Sequence, residues 1–187
     1  MPARQPLPRL WLMTDERQGE ALWTALDRLP RGSGVVFRHY TLPCAERRAL
    51  FRRVHNMCAR RRLMLVLAGD PVCARAWGAR GWHGLGAQKV DLLRTVPAHN
   101  LPEIREAERA GAALAFLSPV FPTRSHPGAR TLGRVRFGLI ARESRLPIIA
   151  LGGINEQRAR HIPGAYGWAA IDAWSLGPGQ KRKAVPR

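Results

Sequence analysis

Long apolar runs are missing from this sequence. No segment approaches the roughly 18–20 apolar residues of a membrane span. The longest candidates, LMLVLAG (63–69) and PIIALGG (147–153), are strand-length. The opening MPARQPLPRLW has no hydrophobic signal core, so the expectation is a cytoplasmic protein. Cysteine is scarce. Cys44, Cys58 and Cys73 are scattered and odd in number, which suits reduced thiols better than a disulfide framework or a zinc site. No glycine-rich dinucleotide fingerprint follows the first strand candidate, where MTDERQGE stands instead. Interior linkers and low-complexity segments are also absent. At 187 residues and 45% apolar content, the chain suits one well-buried domain and hardly two.

Acidic residues are few, 13 against 31 basic ones, and the net charge is +18. Arginine heavily outnumbers lysine and falls in helix-like segments such as ERRALFRRVHNMCARRR, EIREAERA and NEQRARH. This spread reads as solvated helix faces, not as one binding stripe. Basic–aromatic alternation of the RNA-recognition type and zinc-finger spacing are both missing. Charge alone supports only nonspecific attraction, so a nucleic-acid function is disfavoured. The end, GPGQKRKAVPR, reads as a disordered basic tail.

What is present is a repeated rhythm of strand, loop and helix. Eight strand candidates are RLWLM, GVVFRH, LMLVLA, RGWHG, LLRTV, ALAFLS, PIIALG and GWAAID. Between them, apolar spacing of three and four marks helices at GEALWTALDRL, CAERRALFRRVHNMCARR, PVCARAWGA, NLPEIREAERAG, GRVRFGLIARES and NEQRARHI. Trp77-Gly78 and Ala110-Gly111 read as helix stops, and Pro43 and Pro102 as first-turn residues. Alternating strands and helices imply parallel pairing through right-handed crossovers. Eight of them imply an α/β fold, a compact (β/α)8 TIM barrel with trimmed helices, since about 250 residues is usual. An open doubly wound sheet is the alternative. The expected boundaries are an N-terminal tail over 1–8, the barrel over 9–175 and the basic tail over 176–187.

Barrel chemistry gathers at the C-terminal strand ends. Those ends hold Thr14 and Asp15, Arg38 and His39, Gly69 and Asp70, His83, His99, the loop 118–130, Gly152 and Gly153, and Asp172. In ALGGIN, two glycines would let backbone N–H groups approach an anion at a helix start. In SPVFPTRSHPG, Thr123 and Ser125 offer hydrogen bonds and Arg124 and His126 offer positive charge, on a loop stiffened by Pro119, Pro122 and Pro127. A small anionic phosphate ligand suits this set. His39, His83, His99 and His126 are candidate acid–base groups, because imidazole titrates near neutral pH. His55 and His161 fall on helices and read as surface residues. Trp82 and Trp168 read as core, and Trp174 as core before ring-stacking. Asp172 reads as a base, a cation binder or a salt-bridge partner for Arg38 across the mouth, a buried Asp–Arg pair being the commonest of these.

At this point the chain resembles a known family. LWLMTDE, GARGWHG, RTVPAHNLPEIREAERAGAALAFLSPVFPT, LPIIALGGI and GAYGWAAIDAWS are similar in order and spacing to segments of the thiamine phosphate synthase/TenI family. The resemblance covers about residues 9–175. It implies a (β/α)8 barrel and a place in thiamine biosynthesis. The family synthase joins a hydroxymethylpyrimidine pyrophosphate to a thiazole phosphate, releasing pyrophosphate with Mg2+. By position it implies catalytic roles for Arg38, His126 and His99. It implies substrate or phosphate binding by Thr123, Ser125, His126, Gly152, Gly153, His83 and Asp172.

The pattern departs from the family in several places. The second strand ends Val36-Phe37-Arg38-His39-Tyr40 where the synthase reads QLREK, so only the arginine remains. The family's metal-ligand aspartates fall on Gly69, with Asp70 one step late as a weak replacement, and on Gln88. Pro97 replaces a serine, His126 a lysine, and Asp172 a phosphate-binding serine. Mg2+ is therefore implied while its carboxylates are missing. The tautomerase branch carries a histidine where this chain has Pro119. Three functions follow as expectations. The first is a thiamine phosphate synthase or a diverged relative. The second is a noncatalytic phosphate-ligand protein. The third is a basic interaction module using Arg60, Arg61 and Arg62. An oligomer is compatible with each.

Overall fold

The computed structural model describes residues 6–86, 90–123, 128 and 130–174. Eight strands follow one another: β1 (Leu10–Met13), β2 (Gly34–Phe37), β3 (Met64–Ala68), β4 (Gly81–His83), β5 (Leu93–Ala98), β6 (Leu114–Leu117), β7 (Ile148–Leu151) and β8 (Gly167–Ala170). Each pairs in parallel with the next, and β8 closes onto β1. The helices are α1 (Ala21–Arg28), α2 (Cys44–Arg61), α3 (Pro71–Ala76), α4 (Leu101–Arg109), α5 (Gly133–Glu143) and α6 (Glu156–Ala159). This is the compact (β/α)8 barrel expected from the pattern. The trimming is concentrated after β4, where no described helix precedes β5, and in the single turn of α6.

Strand alternation divides the apolar residues into layers. Trp11, Met13, Val36, Val66, Phe116 and Ile149 fill the barrel interior. The register sets Trp11 opposite Gly34. A Cβ on Gly34 would lie 2.2 Å from the indole, so the largest interior side chain occupies space that its neighbour leaves. The outward residues of β1 to β4, including Leu12, Phe37, Leu67 and Trp82, pack under the first three helices. Those of β5 to β8, including Val96, Leu117, Ile148 and Trp168, pack under the later ones. Burying each such large side chain stabilises the fold by about 1.5–3 kcal/mol. Trp174 stacks on Trp168 with centroids 4.9 Å apart, as the core reading expected.

The helix ends follow local chemistry. Asp70, Asn100 and Asn155 accept backbone N–H bonds at the starts of α3, α4 and α6. Gly78 and Gly111 adopt positive φ beyond α3 and α4. Pro43 occupies the cap of α2 and not its first turn, whereas Pro102 lies in the first turn of α4. The last helix is shorter than NEQRARHI suggests, so His161 lies beyond it. All three cysteines are free. Among the described residues, no helix is long and apolar enough to cross a membrane.

Candidate functional site

The loops after β6 and β7 are built against each other. Val120 N donates to Leu151 O at 2.9 Å, and Phe121 N donates to Gly152 O at 3.1 Å. Gly152 and Gly153 have φ of 95° and 63°. A Cβ on Gly152 would lie 2.8 Å from Pro119 Cα, and one on Gly153 would lie 2.6 Å from Pro122 O. Both the backbone conformation and the closeness of the proline loop therefore require glycine. The PVFPT turn and the double glycine form one wall.

That wall bounds a cavity of about 340 Å3 at the C-terminal end of the strands. Its lining includes Arg38, His99, Thr123, Gly152, Gly153, Arg158 and Asp172, with Met13, Pro119, Leu151, Ile154 and Ile171 as apolar surface. Apolar walls with a few polar groups suit a small ring that carries an anionic arm. Ser125 and His126, and with them Arg124, lie outside the described residues. So does Gln88.

Arg158 was not anticipated as a site residue, because NEQRARH reads as a solvated helix face. Its backbone N–H donates to the Asn155 cap at 2.9 Å, and its exposed side chain reaches the glycine turn. Nη1 donates to Gly153 O at 2.6 Å, and the guanidinium lies 5.1 Å from the Phe121 ring centroid. The available signal was an arginine three residues after an Asn cap that itself follows a glycine pair.

The opposite side of the mouth is organised differently. Arg38 does not pair with Asp172 as expected. Its Nη2 donates to Asp15 Oδ2 at 2.8 Å and its Nε donates to Thr14 O at 2.7 Å. Arg17 meets the same carboxylate at 2.6 and 2.9 Å. Hydrogen bonding from Arg17 holds the Asp15 carboxyl below its usual range, against the opposing effect of burial. Asp172 adds to the negative field that raises the Arg17 pKa, after the larger effect of Asp15. The reason is strand order: β1 lies between β8 and β2, so Asp15 at the end of β1 is next to Arg38 and Asp172 is one strand further away.

His39 is buried, shares a hydrogen bond of 2.9 Å with Thr14 Oγ1 and stacks on Phe37. Burial lowers its pKa. Arg47 of α2 donates to the carbonyls of Arg38 at 3.0 and 2.7 Å and of Ala68 at 2.6 Å, tying the ends of β2 and β3. His83 is not brought to the wall of the main cavity. It lines a second depression with Tyr40, Gly69, Asp70, Leu85 and Pro97. There its Nδ1 lies 3.0 Å from Thr95 Oγ1, and burial pushes its pKa down to about 3. A neutral imidazole brings no charge to a phosphate. His99 is exposed and shares a 3.0 Å contact with Glu103 Oε2.

Asp70 is not placed as a metal ligand. Its Oδ1 accepts from Val72 N at 2.9 Å as the cap of α3. Mg2+ takes carboxylate oxygens in near-octahedral geometry. Both Asp15 oxygens already face guanidinium groups, and among the described residues no three His, Cys, Asp or Glu side chains converge. The described residues do not fit a dedicated Mg2+ site.

The comparisons with known proteins agree with this geometry. The family model described as thiamine monophosphate synthase matches residues 10–174. A putative thiamine-phosphate synthase 2 of Aquifex aeolicus is 31% identical over 180 residues, covering 88% of this chain and 96% of that one. The thiamine-phosphate synthase of Geobacillus thermodenitrificans is 31% identical over 154 residues, covering 75% and 69%. Among solved structures, thiamine phosphate pyrophosphorylase from Pyrococcus furiosus superimposes with a TM-score of 0.76 at 25% identity, covering 91% of this chain and 88% of that one. With a match along nearly all of the barrel and loops that meet where the family motifs stand, the chain belongs to the thiamine monophosphate synthase/TenI family.

Proposed function

We propose that this synthase-like protein of thiamine biosynthesis binds a thiazole phosphate in the cavity between the β6, β7 and β8 ends. One observation carries the reading: the PVFPT loop packs on Gly152 and Gly153 beside a cavity of about 340 Å3 that is lined by both apolar and polar residues. The ring would lie on Met13, Leu151, Ile154 and Ile171. The phosphate would face Thr123 and the glycine turn, with Ser125 and His126 as further candidates from the sequence. Arg38 and His99 line the same space as candidate groups for chemistry. The protein acts in the cytoplasm.

The test is a titration of the purified full chain with hydroxyethylthiazole phosphate, followed by incubation with hydroxymethylpyrimidine pyrophosphate with and without Mg2+. Binding of the thiazole phosphate supports the reading, and thiamine phosphate formation extends it to the synthase reaction. No binding and no product would sink it.

A second reading, thiazole phosphate binding without Mg2+-dependent coupling, is favoured by the fate of the carboxylates. Asp70 caps a helix and Asp15 holds two arginines. Pyrophosphate departure develops negative charge that a metal would neutralise, and the described donor set offers no such place. Growth of a synthase-lacking strain without thiamine, when given this chain, would reject that second reading.

A further inference from the structure

The charges around the cavity do not balance evenly. Three cationic or potentially cationic side chains line it among the described residues: Arg38, His99 and Arg158. Arg38 is paired with Asp15 at 2.8 Å, and His99 with Glu103 at 3.0 Å. Arg158 forms no ion pair among the described residues; its partners are the Gly153 carbonyl and the Phe121 ring. Asp172, the one acidic lining residue, faces the field of Arg17 across the mouth. The carboxylates of this rim are thus matched on the β1–β2–β8 side, and a cation is left over on the β7 side.

We propose that Arg158 is the side chain that receives the anionic arm of the cavity's ligand and discriminates a phosphorylated from an unphosphorylated thiazole. This deepens the thiazole phosphate reading and rests on it. The physical grounds are three. The guanidinium forms no ion pair among the described residues, so an anion approaching it breaks none there. It is positioned beforehand: one N–H is fixed on Gly153 O and the plane rests beside Phe121, which lowers the ordering cost of binding. The fork leaves further N–H groups for phosphate oxygens, and Arg–phosphate hydrogen bonds are the strong, charge-assisted kind. The side chain enters from the first turn of α6, directly beside the glycine turn, so it converges on the place where backbone N–H groups would also face the phosphate.

The test uses two probes, hydroxyethylthiazole phosphate and the unphosphorylated hydroxyethylthiazole, titrated by calorimetry against the wild type, Arg158→Ala and Arg158→Lys. Loss of a charge-assisted hydrogen bond predicts that Arg158→Ala weakens the phosphorylated probe by about tenfold or more. The alcohol should change by less than about twofold, since it makes no such bond. Arg158→Lys should keep the charge and lose the fork, giving an intermediate loss. The affinity of the phosphorylated probe should also depend less on salt in Arg158→Ala than in the wild type.

Equal weakening of both probes would mean that Arg158 only shapes the glycine turn, and would overturn the proposal. Unchanged affinity for the phosphate would overturn it while leaving the thiazole phosphate reading intact. Failure of the wild type to bind the phosphorylated probe would overturn both. Circular dichroism of each variant checks the fold, and Arg158→Lys keeps the test open should the alanine variant misfold.

Discussion

The two halves of the barrel mouth treat their polar groups in opposite ways. On the β2–β4 side, Arg38 is held by Asp15 and Thr14, Arg47 by two carbonyls, Asp70 by the start of α3, and His83 by Thr95. Each of these four side chains has a partner inside the protein. On the β6–β7 side, the proline loop and the glycine turn hold each other through backbone bonds, and Arg158 lines the cavity with no ion pair among the described residues. Satisfied groups contribute stability, and a ligand must displace their partners to use them. A cation that has hydrogen-bond partners but no counter-charge among the described residues, held at a rigid wall, favours an anionic ligand. On the proposed reading, the β6–β7 side of the mouth serves recognition, while most polar groups of the β2–β4 side serve structure.

The glycines of the two rims test this contrast most strongly. Gly152 and Gly69 both have positive φ, 95° and 111°. An alanine at either position carries backbone strain of about 1–3 kcal/mol. Only at Gly152 would the new Cβ also meet backbone, at 2.8 Å from Pro119; near Gly69 the nearest atom is 3.9 Å away on the Arg47 side chain. Overpacking adds about 1–3 kcal/mol. Gly152→Ala should therefore destabilise more than Gly69→Ala in urea unfolding, and it alone should abolish thiazole phosphate binding. Equal losses in stability and affinity would mean that the two rims do not differ in the way described.

Acid sharpens the comparison next. His83 has a folded pKa of about 3, set by burial beside a weak repulsion from Arg38. Its unfolded value is near 6.5. Between those values the unfolded chain binds a proton that the folded chain refuses, so stability falls as pH falls. The slope is about 1.4 kcal/mol per pH unit near pH 5. In His83→Asn, which keeps a polar atom near Thr95 and does not titrate, urea unfolding between about pH 6 and pH 4 should lose that part of the slope. A residual slope of the same sign should remain from His39, whose pKa burial also lowers. Parallel pH profiles for variant and wild type would mean that the His83 imidazole is readily charged in the fold.

The barrel was legible because its strands are buried on both faces. Short apolar runs such as LMLVLA and PIIALG stand between helices with three- and four-residue spacing, and that order admits few topologies. The strand ends were legible as a group for the same reason: once the barrel is granted, Arg38, His99, Thr123, Gly152 and Asp172 fall on one rim. Which of them touch was not legible. Asp15 and Asp172 both follow strands that end at this mouth, and the strand order β8–β1–β2 sets Asp15, not Asp172, next to Arg38. Arg158 is an exposed residue, as a charged position in a polar helical segment suggests, and the segment alone does not show that its guanidinium also reaches the Gly153 carbonyl at the cavity wall. Asp70 showed the converse. An aspartate at a strand end suggests a ligand, while Asp-Pro at the start of a helical segment is also a cap signal.

The smallest expected effect separates those two roles of Asp70. As the cap of α3 it accepts one backbone N–H, from Val72. Replacing such a cap by alanine costs about 1 kcal/mol. Asp70→Ala should then lower stability by about that amount in urea unfolding and leave thiazole phosphate affinity unchanged, since Asp70 lines the second depression and not the main cavity. If the wild type forms thiamine phosphate with Mg2+, the variant should show the same dependence on Mg2+ concentration, because a capping carboxylate holds no metal. A rise of tenfold or more in the Mg2+ requirement, with only a minor change in stability, would place Asp70 in a metal site assembled with substrate. It would also move the catalytic half of the mouth back to the β3–β4 side, and the division between a structural and a recognising rim would fall with it.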